Sequence, residues 1–325
     1  MTALLLATLL TLMEWNVENL FDCQHDSLKD DYAFTPEGTY HWTKDRYWTK
    51  LNRIGQTLLA VNDGQQADKG KAVADYDLPD LVALCEVEND TCLRDLTRRS
   101  LLRKAGYEYV MTSSPDRRGI DVALLYSPFS FRLIASRSIR VDTLPGMKPT
   151  RDILYVSGEI MSGDTLHVFV VHAPSRSGGE AATRPYREHV ANRVAMTVDS
   201  LLSRQPEALI VIAGDFNDYS GDPALAILHQ HGMTEVSLGA KGHHGAEGTY
   251  CYRGSWGSLD HVFASRRLSA ACQGVQVFDA SYLLTYDDRY NQYKPNRNYL
   301  GPAYHNGYSD HLPLVARFSI EDKER

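Results

Sequence analysis

The sequence predicts an α/β protein in which two mixed β-sheets pack together and helices cover their outer faces. Short apolar runs typical of buried strands alternate with segments whose apolar residues recur at helical spacing. Some strands follow one another through helices and others through short turns, a combination that gives mixed sheets. Two packed sheets accommodate the roughly ten strands better than one twisted open sheet does.

The first half of the chain predicts two helices and five strands. A long helix spans Tyr47 to Val61, and its apolar residues fall on one face. A shorter helix follows Asn89, a residue typical of a helix start. The strand-like segments are, in order, TLMEWNV, LPDLVALCE (Leu78 to Glu86), GYEYVMTS, DVALLYS and ILYVSGEI.

The second half continues the alternation of strands and helices. Asp222 and Pro223 are typical of a helix start and Gly232 of a helix end, which predicts a short helix between them. The other predicted elements are a strand at Leu166 to His172, a helix at Arg187 to Leu202, and strands at Leu209 to Gly214, near Leu259 to Ala264 and near Leu312 to Ile320. A polar, tyrosine-rich segment from Ser281 to Tyr308 is predicted to be irregular, and long loops often carry function.

Composition favours one globular domain. The chain has 325 residues, of which 43% are hydrophobic, and it contains no linker-like tract or internal repeat. We therefore expect a single domain over residues 14–320, a charged tail at 321–325 and a monomer. The net charge of −7 does not indicate a broad basic surface for duplex DNA. The five cysteines show no CxxC spacing, so they predict neither a disulfide framework nor a zinc site.

Residues 1–13 form an apolar N-terminal segment with two interpretations. Ala3 to Met13 is as apolar as the core of a secretory signal, yet it has no basic residues before it and no obvious cleavage site. The segment is either a curtailed export signal or the start of the first strand. The compartment, cytoplasmic or exported, stays open for that reason. The segment is too short to span a bilayer, and we expect no membrane insertion.

Several predicted strands end or begin on polar residues that a buried strand seldom carries. LIVIAGDFN, for example, runs from five apolar residues in six directly into Asp215 and Asn217. Burial of an unpaired carboxylate costs several kcal/mol, so a repeated pattern of this kind indicates that the groups converge on one cleft. The residues at these strand ends are Asn16, Glu86, His172, Asp215, Asn217, Asp260, Asp310 and His311.

These residue types suit hydrolysis of a phosphate ester. Oxygen ligands such as Glu86, Asn16 and Asp310 favour Mg²⁺ or Mn²⁺ and would hold zinc poorly. The two histidines and the remaining aspartates can transfer protons and stabilise charge at an anionic centre. No GxSxG motif is present, so the predicted nucleophile is water rather than serine.

The ordered motifs NVENLF, CEVEN, VVHAPS, GDFN, LDHVF and SDHLPL resemble those of the endonuclease/exonuclease/phosphatase superfamily, which shares the deoxyribonuclease I-like fold. The resemblance runs from about Glu14 to Phe318. It implies a four-layer α/β/β/α sandwich, two mixed β-sheets flanked by helices.

The resemblance also implies a role for each matching residue. Glu86 matches the principal metal-binding glutamate, with Asn16 beside it and Asp310 adjacent to the metal. The remaining matches concern the phosphate and the water. His172 and Asn217 match residues that contact the phosphate, and Asp215 matches the aspartate that orients or deprotonates water. Asp260 and His311 match the partners of a catalytic dyad. The sequence does not choose between Asp215 and this dyad as the base that removes a proton from water.

Loops decide the substrate in such a fold, and the sequence leaves several open. We expect a phosphodiesterase or endonuclease that acts on nucleic acid. The alternative is a phosphomonoesterase acting on inositol or sugar phosphates, and a third interpretation is a catalytically retired phosphate-binding module. Arg118 is a candidate phosphate ligand, and Trp256 is a candidate to stack on a base, although each also suits a structural role.

Overall fold

The chain is described by a computed structural model over residues 7–62 and 77–322. Within these ranges it forms five α-helices and eighteen strands. The helices are α1 (Lys44–Ala60), α2 (Asp90–Arg98), α3 (Glu180–Arg204), α4 (Pro223–Gln230) and α5 (Arg266–Ala270). The strands are β1 (Ala7–Leu20), β2 (Leu81–Val87), β3 (Glu108–Met111), β4 (Asp121–Tyr126), β5 (Phe131–Ile139), β6 (Ile153–Ile160), β7 (Thr165–His172), β8 (Leu209–Asp215), β9 (Met233–Glu235), β10 (Tyr250–Tyr252), β11 (Ser255–Gly257), β12 (Asp260–Ser265), β13 (Cys272–Val277), β14 (Leu284–Asp287), β15 (Gln292–Pro295), β16 (Tyr299–Leu300), β17 (Ala303–Tyr304) and β18 (Leu314–Glu321).

The longer strands form two six-stranded sheets. The first has the strand order β13-β18-β1-β2-β4-β3 and the second β5-β6-β7-β8-β12-β9. In each sheet the central pair is parallel, β1 with β2 and β7 with β8, while the other pairs are antiparallel. Both sheets are therefore mixed, as predicted.

The two sheets pack face to face, and the alternation of side chains along each strand separates two apolar layers. In β7, Val168 and Val170 belong to the core between the sheets. Phe169 and Val171 point the other way and pack with Val190 and other apolar residues of α3. Helices α1 and α2 pack with the first sheet, and their apolar residues belong to its core. The predicted four-layer sandwich is confirmed.

Three sequence predictions are wrong in detail. Helix α3 begins at Glu180, seven residues before Arg187, and continues through Pro185. The strand Phe131–Ile139 was not predicted, because it lies at a sheet edge and is mostly exposed. The segment Ser281 to Tyr308 is not irregular throughout, since it contains the two small antiparallel pairs β14–β15 and β16–β17.

The N-terminal apolar segment continues into the first sheet. Strand β1 begins at Ala7, which pairs with Glu321 of β18, so residues 7–13 lie inside a strand of the domain. Residues 1–6 and the last three residues of the predicted tail lie outside the described part of the chain. In the part that is described, no helix has both the length and the apolar character needed to cross a membrane.

Candidate active site

Neighbouring strands of the second sheet place three of the predicted residues side by side. His172, the last residue of β7, pairs in register with Asp215, the last residue of the parallel strand β8. Asp215 in turn pairs with Asp260, the first residue of the antiparallel strand β12. Because β12 runs antiparallel to β8, the start of β12 lies at the same end of the sheet as the last residues of β7 and β8. Sequence order alone does not show this adjacency.

Bulges in the first sheet direct two further residues toward the same edge. The pairing of β2 shifts register around Glu86, whose φ is 66°. The pairing of β1 with β2 is interrupted after Asn16, where Glu18 and Asn19 have φ of 52° and 58°. A left-handed conformation is uncommon for a glutamate, and bulges of this kind often re-aim side chains beside active sites.

Asp215 is held by hydrogen bonds from both sheets. The Asn16 Nδ2 atom donates to Asp215 Oδ2 at 3.0 Å, and the Asn217 backbone N–H donates to Oδ1 at 2.8 Å. The Asn217 side chain donates to the Ala173 carbonyl at 3.1 Å. Burial raises the pKa of Asp215 to about 7, opposed by His311 and reinforced by Asp260. A carboxylate with such a pKa is suited to accept a proton near neutral pH.

His311 and Asp260 form a buried pair. The distance between His311 Nδ1 and Asp260 Oδ2 is 2.7 Å, and Thr249 Oγ1 also donates to this oxygen. Burial alone would lower the pKa of His311, but the adjacent Asp260 carboxylate outweighs it and holds the pKa well above its usual value. The imidazole is therefore protonated at neutral pH, with its orientation fixed by Asp260.

His172 has the opposite protonation. Its Nε2 atom lies 3.5 Å from Asp215 Oδ2 and 3.9 Å from Glu86 Oε1. Its Nδ1 atom has no hydrogen-bond partner among the described residues. Burial, with Arg151 and Arg118 nearby, holds the pKa of His172 well below its usual value. A neutral imidazole of this kind can donate a hydrogen bond to a phosphate oxygen without adding a charge.

Glu86 is an ionised carboxylate at the base of the site. Arg118 Nη2 donates to Glu86 Oε1 at 3.0 Å, and the Asn19 backbone N–H donates to Oε2 at 2.9 Å. Burial would raise the pKa of Glu86, but the Arg118 guanidinium outweighs burial and lowers it. Arg118 thus lines the site with its guanidinium on a carboxylate, and its contact with a phosphate stays a prediction.

Asp310 belongs to a charged network that the sequence analysis missed. Arg297 Nη2 donates to Asp310 Oδ2 at 3.0 Å, and Arg297 Nε lies 3.7 Å from Glu18 Oε1. Below them, Lys50 is fully buried and donates to the Tyr308 carbonyl. Burial lowers the pKa of Lys50 to about 8, although Glu18 and Asp310 oppose this shift. The sequence carries a signal for Lys50, because it falls on the apolar face of α1.

The donors present fit a hard divalent cation. Glu86 and Asp310 offer carboxylate oxygens and Asn16 an amide oxygen, the set that Mg²⁺ and Mn²⁺ prefer. The structure also brings a different trio together, since ligand atoms of Asp215, Asp260 and His311 lie within 4.8 Å of one another. A metal bound by that trio would have to displace the proton that Asp260 holds on His311.

The site opens into a cleft of about 870 Å³. Residues that line it include Asn16, Glu86, Arg118, His172, Asp215, Asn217, Asp310 and His311. The structure does not bring Trp256 to this cleft. Trp256 pairs with Cys251, one position from the cleft-lining Tyr250, so its side chain leaves the opposite face of the β10–β11 hairpin. Trp256 therefore does not line this cleft, and its stacking on a base stays a prediction.

The site's electrostatics predict how stability depends on pH without metal. The pKa values of Asp215 and Glu18 are raised by burial to about 7, and burial raises that of Glu88 to about 8. Each raised pKa contributes stability at low pH that is lost as the pH rises through the folded value. His172, whose pKa is lowered by burial, opposes this trend below about 6.5. We expect the melting temperature in EDTA to fall between pH 5 and pH 8.

Differential scanning fluorimetry in EDTA checks this expectation. The Asp215→Asn and Glu18→Gln variants should each show a smaller decrease of melting temperature with pH than the parent, because each removes one of the groups that must ionise. A melting temperature that stays constant or rises from pH 5 to pH 8 would contradict the assigned pKa directions.

Comparison with known proteins places the chain in a family. No curated protein matches it. Three solved structures are similar in fold: an endonuclease/exonuclease/phosphatase family protein from Bacteroides thetaiotaomicron (16% identity, TM-score 0.62, covering 98% of this chain and 100% of that chain), a mannosyl-6-phosphatase from the same organism (15%, 0.60, 94% and 98%) and the catalytic domain of human nocturnin (18%, 0.57, 97% and 97%). At these identities the likeness shows a shared fold. The family model described as "Endonuclease/Exonuclease/phosphatase family" matches residues 11–319, so the chain belongs to this family.

Proposed function

We propose that this protein hydrolyses phosphodiesters, with nucleic acid as its substrate class, by attack of water on phosphorus in the presence of Mg²⁺ or Mn²⁺. Membership of the family supports phosphoester hydrolysis in general. The observation that carries the proposal is the placement of Asp215 between His172 and Asp260 at the edge of the second sheet. Asp215 as the general base, neutral His172 as a hydrogen-bond donor and protonated His311 all line one cleft.

The residues divide the proton transfers among them. Asp215 accepts a proton from water, because its pKa of about 7 lies near the working pH. The protonated His311, fixed by Asp260, donates to an oxygen of the phosphoryl group as negative charge develops there. His172 hydrogen-bonds the phosphate without changing charge. A divalent ion held by Glu86, Asn16 and Asp310 would polarise a phosphoryl oxygen and offset charge on the leaving group.

Charge balance favours a diester over a monoester at the reacting phosphate. The catalytic end carries five carboxyl groups and four cationic groups. The carboxyl groups belong to Glu18, Glu86, Asp215, Asp260 and Asp310, and the cations to Arg118, Arg297, His311 and the buried Lys50. A diester carries one negative charge and a monoester up to two at neutral pH. The surplus of carboxyl groups, with one divalent ion present, therefore accommodates the diester at lower electrostatic cost.

A phosphomonoesterase is the second candidate, supported by the rest of the cleft. Exposed Arg117 and Lys148 line it beyond the carboxyl groups. A cleft of about 870 Å³ lies within the size range of small-molecule sites, so it has room for a sugar phosphate. The mannosyl-6-phosphatase of similar fold shows that the fold supports monoester chemistry in another protein.

A panel of substrates tests the proposal. We would measure nitrophenol release from bis(p-nitrophenyl) phosphate and from p-nitrophenyl phosphate, together with plasmid nicking, each with Mg²⁺, Mn²⁺ or EDTA. Metal-dependent diester cleavage with nicking supports the proposal. Monoester turnover without nicking would assign the protein to the second candidate. No turnover of any substrate would indicate a retired binding module.

A further inference from the structure

The cleft has a second arm on the side of His172 away from Asp215, and the reaction described above leaves it unused. Residues 146–151, which precede β6, line this part of the cleft together with residues at the start of α3. Strand β6 pairs antiparallel with β7, with Leu154 opposite Val170. The residues just before β6 therefore lie beside the end of β7, one strand further from Asp215. We call this region the distal arm.

Two buried donors in the distal arm have unused hydrogen-bonding capacity. The Thr150 hydroxyl and the Arg151 Nε atom have no hydrogen-bond partner in residues 7–62 or 77–322. The two residues are only 3% and 8% exposed, yet both line the cleft. The other nitrogens of Arg151 donate to Ala173 O at 2.8 Å and to Asp116 Oδ2 at 3.3 Å, which fixes the guanidinium in place. Buried polar groups without a partner are rare in folded proteins, and a bound ligand is one reason for them.

The N-terminal end of a long helix also lines the distal arm. Ser177, Gly178, Ala182 and Thr183 line the cleft at the start of α3. The residue before the helix is Gly179, which has no side chain to cap the free backbone N–H groups. Gly178 and Gly179 have φ of 94° and 111°, a backbone that side-chain-bearing residues seldom adopt. Free N–H groups and the helix dipole at such an end favour an anion.

The charges around the distal arm also favour an anion. Asp116 pairs with Arg151 and offsets its charge. Lys148 is exposed at the rim, and Arg117 is exposed on the neighbouring loop; both line the cleft. The positive charge that remains thus comes from Lys148, Arg117 and the helix end. It is opposed by Asp30 in the lining and by Glu180, the first residue of α3, whose carboxylate pairs with Arg184.

We propose that the distal arm binds a second phosphate group of the substrate, held by the Thr150 hydroxyl, Arg151 Nε, Lys148 and the first N–H groups of α3. The inference rests on the proposed function and narrows its substrate class to molecules with two phosphates. Two strand spacings, about 10 Å, separate β6 from β8, a span that two phosphates of one substrate can bridge. The second phosphate belongs either to the next nucleotide of a strand or to a small bisphosphate.

Binding of inorganic phosphate in EDTA tests the arm without turnover. We would titrate phosphate by calorimetry into the parent protein and into Thr150→Val, Lys148→Ala and the double variant. Thr197→Val on α3 and Lys241→Ala, both outside the cleft lining, are matched controls. Loss of donors to a charged group should weaken binding about tenfold in the double variant, with both controls unchanged. Equal binding by the parent and the double variant, or no binding by either, would overturn the inference.

Thr150→Val also has an expected effect on stability that separates binding from folding. An unpaired buried hydroxyl is unfavourable in the free protein, so its replacement by a methyl group should leave the melting temperature unchanged or raise it. Weaker phosphate binding with no loss of stability supports a ligand contact. A lower melting temperature together with unchanged phosphate binding would show that the hydroxyl is structural and overturn its role.

Paired substrates identify the source of the second phosphate. With metal present, we would compare kcat/KM for TpT and 5′-phosphorylated pTpT, and for glucose 6-phosphate and glucose 1,6-bisphosphate. A preference for the two-phosphate member, lost in the double variant, supports the inference and names the source by the pair that shows it. If the parent hydrolyses bis(p-nitrophenyl) phosphate but prefers the two-phosphate substrate in neither pair, the inference is overturned and the proposed function stands. If the parent hydrolyses none of the substrates but binds phosphate in a manner that depends on Thr150, the proposed function is overturned and the anion site stands.

Discussion

Replacement of Asp215 by asparagine is expected to lower the rate of diester hydrolysis by about 10²–10⁴-fold, the usual contribution of a general base. Asn16 and Asn217 donate to different oxygens of Asp215, so the variant keeps one of these two hydrogen bonds and loses the ability to accept a proton from water. Burial raises the pKa of Asp215 to about 7, so the folded protein ionises this group at a cost. We therefore expect Asp215→Asn to melt at the same temperature as the parent or higher at pH 8.

Asp218→Asn is the matched control, because Asp218 is also buried and lies three residues further on. Its carboxylate accepts from Arg187 Nε at 2.6 Å, and it does not line the cleft. Loss of one partner of a buried ion pair is strongly destabilising. This variant should melt at a lower temperature while its folded fraction keeps the parent rate. An Asp215→Asn protein that retains more than about a tenth of the parent rate would contradict the assignment of Asp215 as the base.

The His311–Asp260 pair is expected to behave as one unit. His311→Ala should lower kcat by about 10²–10⁴-fold, because it removes the protonated donor. Asp260→Asn should also lower kcat, since the carboxylate is what holds the pKa of His311 well above its usual value. The double variant should be no slower than His311→Ala, because Asp260 acts through the histidine.

Measurement of kcat for the two single variants and the double variant completes this cycle. Losses that multiply in the double variant would show that Asp260 acts independently of His311. The pH profile gives a second readout. In Asp260→Asn, the decline of activity at high pH should move to lower pH, because His311 loses its proton more easily. An unchanged profile would contradict a positioning role for Asp260.

The sequence predicted the parts of this protein in which a local pattern and the fold agree. The apolar runs that end on His172 and Asp215 are central strands of the second sheet, buried along nearly their whole length, and so they stand out in composition. The edge strand Phe131–Ile139 escaped prediction because most of its residues face solvent and are polar. Helix α3 was predicted too short because Pro185 interrupts the helical pattern inside its second turn.

Seven of the eight predicted polar residues line one cleft, and Asp260 is buried against His311. The structure also shows contacts that sequence order does not contain. The pairing of Asp215 with both His172 and Asp260 depends on one parallel and one antiparallel neighbour. Trp256 is a predicted site residue that the structure does not place at the cleft. Its distance in sequence from Asp260 is short, but the pleat of the β10–β11 hairpin turns it away from the cleft. Arg151 carries no periodic signal, because it lies in a loop and is buried by contacts from distant segments.

We propose above all that these strand ends form a metal-dependent phosphoester hydrolase centred on Glu86 and Asp215. The most direct test of this proposal is the rate of bis(p-nitrophenyl) phosphate hydrolysis by the parent and by Glu86→Gln, measured in EDTA and at increasing Mn²⁺ or Mg²⁺. The account predicts no rate above background in EDTA, saturable activation of the parent, and a much higher metal requirement for Glu86→Gln, because that variant loses the carboxylate held by Arg118. Full activity of the parent in EDTA, or an identical metal dependence of the two proteins, would contradict it.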